Sequence, residues 1–150
     1  MIKNAVVLLL ALTFSASAMA APKDVPDRSY AQRVCDAWAT LDVNNAKQYY
    51  DNASNNAYFD LAPLKYASWK EYESGVVNLL KNFKSIKFTV NDDFTTHNAG
   101  KLVWSTATMK LDSTDVNGKA ETTDVRWTAI WEKKGGKWLI THEHVSAPMH

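Results

Sequence analysis

Residues 126–148 read RWTAIWEKKGGKWLITHEHVSAP. Two runs flank the pair Gly135-Gly136, and in each the apolar and polar residues alternate with a period of two, the pattern of half-buried strands joined by a tight turn. Toward the N-terminus, SIKFTVND and KLVWSTATMKL carry the same alternation and the same abundance of Val, Ile, Thr and Trp, and Asn117-Gly118 supplies another turn. From Ser85 onward the chain therefore reads as an antiparallel meander.

The first half has a different period. Asp27 is placed to cap a helix in which Tyr30, Val34, Ala37, Trp38 and Leu41 recur at helical spacing, ending near Leu41. Asp42 caps a second, short helix running to about Tyr50, and DNASNNAYFD is a turn-rich loop before a brief extended piece at Tyr58 to Leu61. Ser68-Trp69-Lys70-Glu71 is a capping box, and the helix it opens places Tyr72, Val76, Leu79, Leu80 and Phe83 on one face. Helices followed by consecutive strands define an α+β fold, with three N-terminal helices packed on one face of an antiparallel sheet.

The opening MIKNAVVLLLALTFSASAMA, residues 1–20, has a lone Lys3, an apolar run from Ala5 to Leu12 and a small-x-small ending. This is the form of a secretory signal peptide with cleavage after Ala20, too short to act as a lasting membrane anchor. Ala21, not a cysteine, follows the cleavage point, so no lipid anchor is expected and the mature chain is read as exported, periplasmic or secreted. Residues 21–26 form a tail, and 27–150 a single domain of ordinary size.

The lone cysteine, Cys35, has no partner for an internal disulfide and fits the apolar pattern around Val34 and Trp38 as a small buried hydrophobe. The formal net charge of +1, with no basic stripe or acidic tail, gives no sign of nucleic acid or an anionic membrane surface as a partner. Six tryptophans and six tyrosines supply large rings with polar tips, which suit a core, a pocket or an interface.

AYFDLAPLKYASWKEY (57–72) and RWTAIWEKKGGKWLITHEHVSAP (126–148), together with the order of helices and strands, resemble the SnoaL-like branch of the nuclear transport factor 2-like superfamily, which includes ketosteroid isomerases. The resemblance covers nearly the whole mature chain. It implies three helices packed into a strongly curved sheet, a cone with a pocket at its open end, and commonly a homodimer through the outer face of the sheet. The superfamily hosts isomerases, dehydratases, hydrolases, ligand carriers and assembly domains, so the fold does not choose among them. The aspartates and tyrosine of the isomerases are not assigned to particular positions here, and steroid isomerisation is not carried over.

On a regular strand His142 and His144 point to one face and Glu143 to the other. Trp138 and Ile140 share the histidines' side, so both imidazoles are expected to look into the cone. Two registers with the preceding strand are open. A three-residue loop at Lys134-Gly135-Gly136 puts Thr128 opposite His142 and Arg126 opposite His144; a two-residue loop puts Ala129 and Trp127 there. The first is preferred because Arg-x-Thr in the resembling proteins generally looks inward. Arg126, His142 and His144 then form a cluster able to bind a carboxylate or polarise a carbonyl.

Asp60 is the third catalytic candidate, and Thr128, Tyr58, Tyr66 and Trp69 complete a ligand-binding set with Arg126; an aspartate in a loop or cap, and Trp69 as core, are the plainer readings. Asp92 and Asp93 read as a solvated turn. No metal site is expected, since the His-x-His pair lacks an evident third ligand, with His97 read in a loop and His150 at the terminus. No cofactor is expected either, there being no glycine-rich phosphate loop and no nucleophile elbow. Three functions remain open: a carrier of a small, partly apolar organic molecule, an acid-base enzyme of isomerase, dehydratase or hydrolase type, and a dimeric assembly domain.

Overall fold

A computed structural model describes residues 24–52 and 55–149. The expected signal peptide, its cleavage point and residues 21–23 of the tail lie outside the described residues. Helix α1 spans Arg28–Ala39, and the Asp27 carboxylate caps it by accepting from the Tyr30 amide at 2.7 Å. It stops short of Leu41, whose φ of 59° is left-handed and turns the chain into α2, Val43–Lys47. Asp42 caps α2 by accepting from the Asn44 amide at 2.9 Å. This helix ends earlier than Tyr50, and residues 49–51 instead hydrogen-bond along the edge of the sheet at Ile140.

After the two-residue strand β1, Tyr58–Phe59, helix α3 runs from Trp69 to Leu80. Ser68 Oγ accepts from the Glu71 amide at 3.3 Å, while Glu71 Oε2 accepts from the amide of Ala67, one residue earlier than an ideal box. Phe83, expected on this helix, begins β2 instead.

Strands β2 (Phe83–Val90), β3 (Thr95–Ala99), β4 (Leu102–Asp115), β5 (Ala120–Lys134) and β6 (Lys137–Ser146) follow. The sheet order is β1-β6-β5-β4-β2, with β3 also on β4, so the expected meander is corrected in two ways. The 14-residue β4 is long enough to pair with β3 at its start and with β2 along its second half, and β1 joins the far edge parallel to β6. His97, expected in a loop, lies on β3 with its ring stacked on Trp104 at 5.0 Å. Asp92 pairs with Arg28, and Asp93 accepts from the Thr108 amide.

The helices pack on one face of the sheet, where Val103, Ala107, Met109, Val125, Trp127, Ala129 and Trp131 meet Ala31, Val34 and Trp38 of α1 and Tyr72 and Val76 of α3. This buried cluster is continuous, as a single layer of helices over a sheet requires. Among the described residues no helix is long and apolar enough to cross a membrane.

The β5–β6 hairpin decides what faces inward. Lys134 pairs with Lys137 across Gly135 and Gly136, both with positive φ, so the loop has two residues. The three-residue loop expected from the sequence is thereby corrected. Trp131 pairs with Ile140, but Ile130 pairs with His142, so Thr141 is an extra residue on β6. Such a bulge shifts the alternation by one. Ile140 faces the core before it; after it Glu143 and Val145 do.

Candidate functional site

Because of that shift, His142 and His144 lie on the outer face of the sheet, not in the cone. His144 is exposed and pairs with Thr128, while Arg126 pairs with Ser146 and is also exposed. The expected inward cluster of Arg126, Thr128, His142 and His144 is corrected for two physical reasons: the two-residue loop sets β5 with Trp127, Ala129 and Trp131 inward, which turns Arg126 and Thr128 outward, and the parity change at Thr141 turns the two histidines outward. Outside, Phe59 meets both imidazoles edge-on, at 5.3 Å and 5.6 Å, and His142 Nδ1 donates to the Ala57 carbonyl at 2.8 Å.

Glu143 takes the inner position instead, 4% exposed. Three donors converge on its carboxyl group: Tyr72 Oη reaches Oε1 at 2.7 Å, and Tyr50 Oη and Trp127 Nε1 each reach Oε2 at 2.9 Å. Trp38 Nε1 donates to Tyr50 Oη at 2.8 Å, so the tyrosine's own proton is directed at the glutamate. Burial raises the Glu143 carboxyl above the usual carboxylate range, and the three donors pull the other way. Loss of water, and after it the neighbouring Glu143 charge, pushes Tyr50 and Tyr72 well above the ordinary phenol value.

Glu143 lies in the wall of a cavity of about 190 Å³ between α1, α3 and the inner face of the sheet. Its walls are mostly apolar, with Val34 and Trp38 from α1, Val76 and Leu80 from α3, and Ile86 and Phe88 from β2. Residues 60–62, just after β1, form part of the rim, and Asp60 is one of them. Its Oδ1 accepts from the Leu61 amide at 2.7 Å. Loss of water raises the Asp60 carboxyl to about 6, the backbone donor opposing and the nearby Glu143 charge assisting. Cys35 also borders the cavity, buried against Met109, and burial pushes its thiol up, away from thiolate chemistry.

The remaining sequence candidates are near the cavity but do not line it. Tyr58 stacks on Tyr72 with ring centroids 4.8 Å apart, and Trp69 packs against Tyr50 at 4.9 Å. Tyr66 donates to the Ala62 carbonyl and lies over Gly75, where an added Cβ would sit 2.3 Å from its ring. These three rings form the packed layer behind Glu143: Trp69 keeps its plainer reading as core, and Tyr58 and Tyr66, expected as ligand contacts, are core as well. Of the site residues expected from the sequence, Asp60 alone is in the described lining of the cavity. Glu143, Trp127, Tyr72 and Trp38 were not singled out as site residues. The signal that points to them is the number of buried ring donors, since buried tyrosine hydroxyls and indole N–H groups need an acceptor.

Such a site can hold an apolar body against its walls and present acidic oxygens to it. Among the described residues no group of three His, Cys, Asp or Glu is gathered as metal ligands are.

Residues 28–150 match the family model described as a SnoaL-like domain. None of the curated proteins matches the chain. Solved structures do. A nuclear transport factor 2-like superfamily protein from Salmonella enterica superimposes with a TM-score of 0.72 at 15% identity, over 82% of this chain and 92% of that one. A putative calcium/calmodulin-dependent protein kinase II association domain from Xanthomonas campestris gives 0.70 at 24% identity, over 92% and 98%. A putative dehydratase of the same fold family from Streptomyces avermitilis gives 0.69 at 15% identity, over 79% and 90%. At these identities the structural likeness shows a fold and not an activity. The match along the whole domain, and a curved sheet closed over by three helices, make this chain a member of the SnoaL-like domain family with the nuclear transport factor 2-like fold.

Proposed function

We propose that the chain is an exported SnoaL-like protein that binds a small, partly apolar organic molecule in the cavity between α1, α3 and the sheet. One observation carries this reading: an open cavity of about 190 Å³, apolar along most of its wall, with the carboxyl groups of Asp60 and Glu143 on its lining. Few polar groups on an apolar wall are what fixes a small ligand's orientation. Export rests on the signal-like residues 1–20.

Native mass spectrometry of the mature protein purified from its own periplasm, beside a denatured control, tests both parts. The expected result is a chain beginning at Ala21 that carries an extra mass released on denaturation. A bare chain would remove the tight-carrier reading, a chain still bearing residues 1–20 would remove cleavage after Ala20, and absence of the chain from the periplasmic fraction would remove export.

Asp60 favours acid-base chemistry as a second reading. A carboxyl that titrates at about 6 inside a cavity is suited to take and return protons near neutral pH. One structural neighbour, from Streptomyces avermitilis, is described as a putative dehydratase, which makes elimination a reasonable first assay. Under this reading Asp60→Asn abolishes turnover and leaves the folded protein intact, whereas His142→Ala changes neither.

Self-association is a third element. The outer face carries Trp104 at 36% exposure, on a row with His97, Ile130 and His142, and beside it Leu102 at 42%. A homodimer through this face predicts that Trp104→Glu halves the sedimenting mass; a wild-type chain that sediments as a monomer removes the proposal.

A further inference from the structure

The cavity is one-sided in charge. Its described lining holds two acidic side chains, Asp60 and Glu143, and no lysine, arginine or histidine. Basic groups on the neighbouring strands are turned elsewhere: Arg126 and His144 are exposed on the outer face, and Lys134 is engaged by Asp51 and Glu132. Any ligand in this space therefore meets acid without a compensating base.

The two acids also retain hydrogen-bonding capacity. A carboxylate oxygen offers two lone-pair directions. Glu143 Oε2 has both taken, by Tyr50 and Trp127, but Oε1 has only the Tyr72 bond. Asp60 Oδ1 has the Leu61 amide, and its Oδ2 accepts from no described residue. Desolvated carboxylates in this condition gain most from a partner that is itself charged and a donor. The rings of Trp38, Tyr72 and Trp127 border the same space, and aromatic surroundings suit an organic cation.

We infer that the cavity takes an amphiphilic amine, a compact protonated nitrogen held by Asp60 and Glu143 on a body that lies against Val34, Val76, Leu80 and Phe88. This rests on the small-molecule reading above and narrows it to a chemical class. It reverses the electrostatic sense expected from the sequence, where Arg126 and two histidines suited a carboxylate or a polarised carbonyl. Size sets a further bound, because a cavity of ~150 Å³ is enough for benzene. At about 190 Å³ this one suits a single ring with a short chain.

Isothermal titration of the mature protein at pH 7.5 with four probes of similar size tests the class: phenethylamine, 2-phenylethanol, propylbenzene and phenylacetate. Phenethylamine is expected to bind at least about tenfold more tightly than 2-phenylethanol, the scale of one charge-assisted hydrogen bond, and phenylacetate most weakly. Asp60→Asn, a change on the rim that leaves the Glu143 network in place, is expected to bring the amine down toward the alcohol. If propylbenzene binds and the alcohol equals the amine, or phenylacetate is tightest, the amine class is overturned and the cavity reading survives. Silence from all four probes removes the cavity reading and the amine class together.

Discussion

Along β6 the same short run, Thr141 to Val145, builds two different surfaces. On the inner side one carboxyl group gathers two phenols and an indole, with a second indole behind them. On the outer side two imidazoles rest against Phe59, and one of them reaches a backbone carbonyl. By residue type the histidines look like the working groups. By environment the glutamate is the group whose chemistry has been altered, because it has lost water and gained fixed donors. Side-chain identity tells what a residue can do; the face it occupies decides whether the protein uses it.

The sharpest way to break this contrast is Glu143→Ala. It strands the Tyr50, Tyr72 and Trp127 donors in the interior, which is expected to cost about 3–5 kcal/mol and to lower the melting temperature by roughly 10 °C or more. Thermal and urea unfolding measure it, and a loss under about 1 kcal/mol would show that the inner network holds nothing together. Next in size is Gly75→Ala, which drives a methyl group into the Tyr66 ring behind that network. A destabilisation of about 1–2 kcal/mol is expected, beyond the helix propensity that alanine brings. An unchanged urea midpoint would mean that the ring moves aside freely.

Asp60 sharpens the comparison through pH. Unfolded, its carboxyl titrates near 3.9, and in the fold it titrates at about 6, so the folded state binds more protons between those values. The stability this group contributes is complete below about pH 4 and is lost as the pH rises through about 6. Asp60→Asn removes that dependence, so wild-type stability relative to the variant should fall from pH 4 to pH 7. A difference that stays flat, or rises, in parallel urea titrations contradicts the burial of this carboxyl. The smallest effects belong outside: His142→Ala and His144→Ala should each change stability by less than about 1 kcal/mol, the first through its single bond to Ala57. A larger loss than that of Glu143→Ala would invert the account.

The helices and most strands are legible in the sequence because each carries a local signal. Asp27 and Ser68 cap where they should, and strands β4, β5 and β6 declare themselves by alternation. Strand β3 is less visible, since TTHNA is polar and short and pairs only because β4 overruns β2. The site was harder to read for a different reason. A single extra residue at Thr141 carries no sequence mark, yet it exchanges the faces of every residue after it. Alternation read from Trp138 and Ile140 is correct up to the bulge and inverted beyond it. Asp60 reaches the cavity lining because its position depends on where the chain leaves β1 and not on strand parity.

The central claim is that the cavity beside Glu143, not the histidine face, receives the ligand. Two-dimensional NMR of the protein during titration with phenethylamine tests it directly, reading the indole N–H signals and the histidine ring signals together. The account predicts that the Trp38 and Trp127 indole resonances shift with ligand while those of His97, His142 and His144 hold still. Movement of the His142 and His144 rings with the two indoles unmoved would contradict it.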